Sequence, residues 1–315
     1  MTKILANDGI SQAGIDALTG KGFEVIAEKV AQEDLIKSIN SENYEVLLVR
    51  SATTVRKDLI DACPHLKVVG RGGVGMDNID VDYAREKGIN VINTPAASSS
   101  SVAELVFAHL FGMVRFLFDS NRQMPMSGDA DFKSLKKSYA KGRELAGKTL
   151  GIIGFGRIGQ EVAKRAIGLG MKVMAHDKFI DEANITLDFF NGDKKSFTIE
   201  TESLKKVLNN SDFITLHVPK IGDKAVIGAE EIGMMKTGAG IVNAARGGVI
   251  DETALMFALD KEKLAYAGLD VFDNEPNPSI HICMHNAISL TPHIGAATLE
   301  AQDRIGTELA DQIAT

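Results

Sequence analysis

The sequence predicts an α/β fold with two doubly wound parallel sheets, each covered by helices on both faces. Short, continuous apolar runs alternate with helix-like segments along almost the whole chain, as is typical of parallel strands buried on both faces. The runs fall into two series on either side of residues 94–148. A chain of 315 residues also has the length of about two average domains.

Five apolar runs form the first series and six form the second, and Val and Ile are frequent in both. The first series comprises residues 3–7, 23–27, 45–49, 66–70 and 89–93. The second comprises residues 149–154, 172–176, 212–218, 239–245, 266–272 and 287–291. Because helical patterns separate the runs, each series predicts one sheet. The pair Asn191-Gly192, inside an unusually long connection, predicts an additional hairpin.

The segment between the two series begins with a helical pattern. Its apolar stretch, Leu105–Phe118, is shorter than the roughly 20 residues of a membrane span and predicts a buried helix. The polar segment 119–147 is interpreted either as a solvated loop or as an arm that wraps a partner subunit.

Composition and charge exclude several classes of function. Hydrophobic residues make up 44% and charged residues 24% of the chain, as in an average globular protein. The net charge of −7 argues against a nucleic-acid partner. Cys63 and Cys283 cannot form a disulfide framework and fit a reducing compartment. Since no signal peptide or membrane span is recognised either, we expect a cytoplasmic protein without membrane or nucleic-acid partners.

A G-x-G-x-x-G motif follows the first strand of the second series and opens a helical pattern. Gly154 permits a tight turn, Gly156 lets a pyrophosphate approach the backbone, and Gly159 lets helix and strand pack closely. Free N–H groups at the helix N-terminus favour the phosphates. Asp177, which ends the next strand, can bind ribose hydroxyls and would repel a 2′-phosphate. The motif therefore predicts NAD rather than NADP, with a turn that binds no ligand as the alternative.

Three ionisable residues follow strands of the second series, where open parallel sheets bind their ligands. They are Arg246, Glu275 and His293. Taken singly, each could be a surface or turn residue. Taken together, they match the oxidation of a 2-hydroxy acid: the histidine takes the hydroxyl proton, the carboxylate orients the imidazole, and the guanidinium binds the substrate carboxylate. The sequence predicts this active site provided that the three side chains meet.

A second glycine-rich loop follows a strand of the first series. Residues Gly72, Gly73, Val74 and Gly75 form a candidate cradle for the substrate carboxylate, because consecutive backbone N–H groups bind anions. Arg50 and Ser51, at the end of a neighbouring strand, are expected to face the same site. A plain turn is the alternative. For a phosphorylated substrate, the sequence offers Arg50 and Arg71 as additional cations, with Lys141 and Arg143 of the 119–147 segment as candidates from a neighbouring subunit.

Seven segments that include these motifs are similar to one known family, and the resemblance to that family covers essentially the entire chain. They are RSAT (50–53), VVGRGGVGMDNID (68–80), NTP (93–95), GKTLGIIGFGRIGQEVA (147–163), NAARGGVIDE (243–252), GLDVFDNEP (268–276) and TPHIGAAT (291–298). The sequence thus resembles the D-2-hydroxyacid dehydrogenases. The resemblance implies a Rossmann NAD-binding domain, residues 101–288, inserted into a flavodoxin-like substrate domain made of residues 1–100 and 289–315.

The resemblance also implies the roles of individual residues. Arg246, Glu275 and His293 form the catalytic set. The implied NAD contacts are Val74, Gly154, Gly156, Arg157, Ile158, Gly159, Asp177, Val218, Ala244, Ala245, Arg246, Asp270, His293, Gly295 and Ala296. The implied substrate contacts are Arg50, Ser51, Gly72, Gly73 and Val74. The implied reaction is the NAD-dependent oxidation of D-3-phosphoglycerate, a phosphorylated 2-hydroxy acid of serine biosynthesis, by a homodimer that needs no metal.

Other functions remain open at this point. A hydroxypyruvate or glyoxylate reductase of the same family would share every motif and differ only in the charge of its pocket. An NAD-sensing, corepressor-like protein would bind NAD without turnover. Many members of the family carry a C-terminal regulatory domain that senses serine. Since the sequence ends at Thr315, soon after the return to the substrate domain, feedback through such a domain is not expected.

The remaining histidines have weaker functional interpretations. His281, Cys283 and His285 would share one face of a strand and could hold a metal ion, but these are only three donors and no metal is expected. The four histidines that have no functional interpretation are taken as structural: His65, His109, His176 and His217.

Overall fold

The computed structural model describes residues 1–315 and divides them into two compact units. The first unit contains residues 1–101 and 296–315, and the second contains residues 102–295. The sequence placed the second boundary at 288/289. The structure moves it to 295/296, because the strand Ile288–Leu290 is hydrogen-bonded into the sheet of the second unit.

Thirteen strands and thirteen helices make up the chain. The strands are β1 (Lys3–Ala6), β2 (Glu24–Ile26), β3 (Val46–Val49), β4 (Val68–Arg71), β5 (Asn90–Asn93), β6 (Thr149–Ile153), β7 (Lys172–His176), β8 (Glu182–Asp188), β9 (Lys194–Glu200), β10 (Phe213–Leu216), β11 (Ala239–Asn243), β12 (Leu264–Leu269) and β13 (Ile288–Leu290). The helices are α1 (Gln12–Gly20), α2 (Leu35–Glu42), α3 (Lys57–Ala62), α4 (Val81–Glu86), α5 (Ser99–Val114), α6 (Leu117–Ser127), α7 (Phe132–Ser138), α8 (Arg157–Gly168), α9 (Leu204–Asn210), α10 (Ala229–Met234), α11 (Glu252–Asp260), α12 (Ile280–Met284) and α13 (Leu299–Ile313).

The first unit is built on a five-stranded parallel sheet in the order β2-β1-β3-β4-β5. Successive residues of β1 enter different apolar clusters: Ile4 and Ala6 belong to one, and Leu5 to the other. Because strand side chains alternate between faces, the sheet is covered on both sides. The five strands and the doubly wound arrangement predicted from the sequence are confirmed.

The second unit is built on a six-stranded parallel sheet in the order β13-β12-β11-β10-β6-β7. Here too, neighbouring residues of β11 enter different clusters, Ile241 one and Val242 the other. β8 and β9 form a separate antiparallel hairpin, and Gly192 lies between them with a φ of +89°. All six predicted strands and the predicted hairpin are therefore present.

The predicted buried helix is interrupted. α5 ends at Val114, Phe116 adopts a left-handed backbone (φ +55°), and α6 begins at Leu117. No single helix is long and apolar enough to span a membrane, and α5 with α6 reaches that length only as a pair bent by 57°. The segment 119–147, interpreted from the sequence as a solvated loop or an arm, contains most of α6 and all of α7.

Candidate active site

The glycine-rich turn joins β6 to α8 and has the geometry that its motif predicts. Gly154 has a φ of +92°, and a Cβ on it would lie 2.4 Å from the carbonyl oxygen of His217. A Cβ on Gly159 would lie 2.2 Å from the carbonyl oxygen of Gly154. In contrast, no atom lies within 4 Å of the Cβ position of Gly156, the N-cap of α8. The first and third glycines thus allow close packing, and the second leaves open space at a helix N-terminus that suits a pyrophosphate.

Asp177 follows β7 and holds this turn in place. Its Oδ2 accepts a hydrogen bond from the N–H of Phe155 (2.6 Å), and its Oδ1 accepts bonds from the N–H groups of Phe179 (2.8 Å) and Ile180 (3.2 Å). A carboxylate has about four lone-pair sites, so ribose hydroxyls can still bind. Arg157 and Ile158 are the first two residues of α8, which follows the glycine-rich turn.

Further candidate cofactor contacts lie at the ends of β10, which pairs with β6, and of β11, the next strand of the sheet. The Cγ1 of Val218 lies 2.8 Å from the Cβ position of Gly154, so Val218 lies against the glycine-rich turn. Ala244 is buried after β11. The side chain of Asn243 shapes the next residues: its Oδ1 accepts from the N–H of Ala245 (3.1 Å), and its Nδ2 donates to the carbonyl of Arg246 (2.9 Å). Sequence reasoning missed Asn243, although its place at a strand end could have indicated it.

Glu275 and His293 meet directly. His293 Nδ1 lies 2.7 Å from Glu275 Oε2, and Glu275 Oε1 accepts a hydrogen bond from the N–H of Phe272 (2.9 Å). The carboxylate therefore anchors one nitrogen of the imidazole and leaves Nε2 for a reacting group. Both side chains are partly exposed, at 35% for Glu275 and 43% for His293, so a small molecule can reach them.

Arg246 lies on the loop that packs against Phe272. A Cβ on Gly247 would lie 1.8 Å from the carbonyl oxygen of Phe272, so only glycine fits at this contact. The Arg246 side chain is half-buried, and its Nη1 donates to the carbonyl of Ala245 (2.7 Å). The loop that carries Arg246 is thereby joined to the segment that leads to Glu275.

Asp270 organises the turn that carries His293. It is 1% exposed and follows β12. Its Oδ1 accepts from the N–H of Ile294 and its Oδ2 from the N–H of Gly295, both at 2.8 Å, and its carbonyl accepts from the N–H of His293 (2.8 Å). His293 itself has a φ of +55°, which is uncommon for a residue other than glycine. Ala296, at the end of this turn, accepts from the Gln302 side chain at its carbonyl (2.7 Å).

In the first unit, Arg50 and Ser51 follow β3 and line an open depression of about 570 Å³. Asp8, after β1, also lines it and accepts hydrogen bonds from the N–H of Arg50 (2.7 Å) and from Lys29 (2.5 Å). Burial alone would raise the pKa of Asp8, but the hydrogen bonds from Lys29, Arg50 and Thr53 outweigh it and lower the pKa. Sequence reasoning missed Asp8 and Lys29, although Asp8 stands at a strand end.

In the loop after β4, the backbone N–H groups of Gly72 and Gly73 differ from the expected carboxylate cradle. The N–H of Gly72 donates to the carbonyl of Val49 and that of Gly73 to the carbonyl of Arg71, each at 2.9 Å. These two groups are therefore not available as a carboxylate cradle. Val74 is 39% exposed, and the carbonyl of Val74 accepts from the Asn93 side chain. A cradle in this loop must use the N–H groups that follow, those of Val74 and Gly75.

The histidines near the C-terminal end of the second unit do not form the strand considered for a metal site. Residues 280–284 form α12, and His285 is its C-cap. His285 instead accepts from the N–H of Ala287 (3.1 Å) and lies 3.5 Å from Asp260. The structure brings no three His, Cys, Asp or Glu side chains into a group that could hold a metal ion.

Comparison with known proteins defines the class to which this site belongs. The family described as "D-isomer specific 2-hydroxyacid dehydrogenase, NAD binding domain" matches residues 107–295. The chain belongs to this family, and it is an α/β protein with a Rossmann NAD-binding domain. NAD is its cofactor, and its substrate is a small hydroxy acid.

The chain is similar to individual proteins whose named activities differ. The chain is 42% identical over 318 residues to a hydroxypyruvate reductase of Thermotoga maritima, covering 99% of this chain and 97% of the relative. It is 42% identical over 315 residues to a D-3-phosphoglycerate dehydrogenase of Methanocaldococcus jannaschii, covering 99% of this chain and 57% of the relative. The crystal structure of a glyoxylate reductase from Paecilomyes thermophila superimposes with a TM-score of 0.80 at 29% identity, covering 99% of this chain and 94% of that one.

Proposed function

We propose that this chain oxidises D-3-phosphoglycerate to 3-phosphohydroxypyruvate with NAD, as in serine biosynthesis. The observation that carries the proposed chemistry is the bond between His293 Nδ1 and Glu275 Oε2, on the unit that contains the glycine-rich turn. Bound NAD supplies the hydride acceptor. The residues of the chain do the rest: Glu275 holds the imidazole, and His293 Nε2 accepts the proton of the substrate hydroxyl.

The remaining substrate groups are anionic and need cationic or N–H partners. We assign the carboxylate to Arg246, whose guanidinium can form paired hydrogen bonds, and to the N–H groups of Val74 and Gly75. We assign the phosphate to Arg50, which follows β3, and to Arg71, the last residue of β4, both in the first unit. Arg71 extends over the loop, since its Nη1 lies 1.7 Å from the Cβ position of Gly73 and donates to the carbonyl of Gly72 (3.2 Å).

Charge reversal at Arg50 tests the phosphate assignment. Arg50→Glu is expected to raise KM for D-3-phosphoglycerate about 10- to 100-fold, because a hydrogen bond to a charged group contributes about 1.5–3 kcal/mol. KM for D-glycerate, which lacks the phosphate, is expected to change much less. Arg85→Glu makes the same charge change on an exposed position of α4 and serves as the control. Equal losses for both substrates would reject the assignment.

A reductase of hydroxypyruvate is the second candidate, because the Thermotoga relative with that name matches over 97% of its length. NADH appearance with D-3-phosphoglycerate at alkaline pH, beside D-glycerate and D-lactate, separates the two candidates. NADH consumption with hydroxypyruvate and glyoxylate completes the comparison. Turnover confined to the unphosphorylated acids would keep the chemistry and replace the substrate, whereas NAD binding without any turnover would favour a binding protein.

We also propose that the chain forms a homodimer in the cytoplasm. Apolar side chains of α5, α6 and α7 are unusually exposed: Phe111 by 44%, Leu117 by 62%, Met126 by 70% and Phe132 by 57%. Large apolar side chains exposed on three consecutive helices favour a protein interface. Two free cysteines fit a reducing compartment. A monomeric mass by light scattering across the micromolar range would contradict the dimer.

A further inference from the structure

His109 lies on α5 and is only 2% exposed, yet its ring is fully hydrogen-bonded. Its Nδ1 lies 2.9 Å from the hydroxyl of Ser289, and its Nε2 lies 3.1 Å from the hydroxyl of Thr291. Thr291 in turn donates to Asp270 Oδ1 at 2.6 Å. Because Asp270 also binds the backbone of the turn that carries His293, a continuous line of hydrogen bonds joins His109 to that turn.

The proton positions along this line follow from the carboxylate at its end. An ionised carboxylate only accepts, so the one hydroxyl proton of Thr291 points to Asp270. The Thr291 oxygen then accepts from His109, which requires the ring proton to be on Nε2. Nδ1 is left to accept from the hydroxyl of Ser289. Burial lowers the pKa of His109, against the opposing charge of Asp270, and this agrees with a neutral ring.

The turn that carries His293, to which these hydrogen bonds lead, has a backbone conformation that depends on surrounding contacts. His293 has a left-handed backbone, and such conformations persist only where surrounding contacts hold them. The N–H of His293 is shared between the carbonyls of Asp270 (2.8 Å) and Thr291 (3.1 Å). Both anchoring residues are therefore members of the hydrogen-bonded line, and displacing either one displaces the imidazole.

We propose that His109 is a positioning residue for His293, acting through Thr291 and Asp270. This inference rests on the proposed acid/base role of His293. A displacement of about 1 Å in a reacting group can lower the rate about 100-fold. Loss of the hydrogen bonds that His109 makes is therefore expected to lower kcat and to leave the affinities for substrate and NAD largely unchanged. The proposal adds a specific positioning role to the interpretation of His109 as a structural histidine, which was drawn from the sequence.

A double-mutant cycle tests the proposal on the full chain. His109→Leu and Thr291→Val are each expected to lower kcat about 10-fold or more, with the Kd of NAD changed less than about two-fold. Because both act through one line, the double variant is expected to lose no more than the worse single variant. His109→Gln, whose amide can donate to the Thr291 hydroxyl, is expected to restore most of kcat.

Met113→Ala is the matched control, because Met113 is fully buried on the same helix and lies outside the line. It is expected to lower Tm and leave kcat unchanged. If His109→Leu behaves in the same way, or if the losses of the two single variants multiply in the double variant, the proposal is overturned.

Failure of the proposed dehydrogenase chemistry, on which the acid/base role of His293 rests, gives a different result. In that case the unmodified protein shows no turnover with any 2-hydroxy acid. The imidazole NMR resonances of His293 then decide the positioning role by themselves. A shift or broadening in His109→Leu but not in Met113→Ala supports it, and identical spectra overturn it.

Discussion

Replacing His293 by asparagine is expected to lower kcat about 100- to 10,000-fold, the usual contribution of general acid–base catalysis. Asparagine is chosen because His293 has a φ of +55°, and asparagine tolerates this left-handed conformation better than alanine. The turn should therefore keep its shape while losing the group that accepts the substrate proton. The measurement is steady-state kinetics in both directions, together with the Kd of NAD by calorimetry.

The control for this experiment is His285→Asn, a histidine at the end of α12 that takes no part in the proposed chemistry. It should retain normal turnover. If His293→Asn kept kcat within about two-fold of the unmodified protein, the proton would have to move through another group, and the proposed mechanism would be wrong. A large loss of NAD affinity in the same variant would instead indicate a collapsed turn.

Replacing Gly159 by alanine is expected to cause the second large effect, a loss of NAD binding of about 10-fold or more. The added Cβ would lie 2.2 Å from the carbonyl oxygen of Gly154, and a backbone atom cannot move away without shifting the glycine-rich turn. Overpacking of this kind costs about 1–3 kcal/mol, so the midpoint of urea unfolding should also fall.

Gly168→Ala provides a control within the same helix. Gly168 is the last residue of α8, and no atom lies within 4 Å of its Cβ position. Alanine there should leave NAD affinity unchanged and leave stability the same or slightly higher, because alanine is the better helix former by about 0.5–1 kcal/mol. If both variants bound NAD equally well, the close contact at Gly159 would have no functional importance.

Most of the fold was predictable from the sequence because its strands are buried on both faces. Such strands appear as continuous apolar runs, and all eleven predicted runs became strands of the two parallel sheets. The hairpin was equally predictable, since Asn-Gly is a strong local turn signal. Helix ends were less predictable from the sequence. Neither glycine nor proline stands directly beside the break at Phe116, and the polar composition of residues 119–147 did not indicate α6 and α7.

The candidate site also has features that the sequence predicted and features that it did not. Motif spacing alone indicated the glycine-rich turn and the three ionisable residues at strand ends, because parallel sheets collect ligands at that edge. Motif spacing did not indicate which backbone N–H groups are already hydrogen-bonded within the protein. The N–H groups of Gly72 and Gly73 looked available as a cradle, and only the folded backbone shows that Val49 and Arg71 already accept them.

The sequence by itself therefore determined the fold class and indicated the candidate cofactor site and the candidate catalytic residues, since all three depend on local pattern and spacing. Only the tertiary structure decided the pairing of Glu275 with His293, eighteen positions apart, and the line from His109 to Thr291, which spans 182 positions. Hydrogen bonds of this kind depend on distances of a few tenths of an ångström between distant segments. No pattern along the chain encodes such distances, because packing of whole strands and helices sets them.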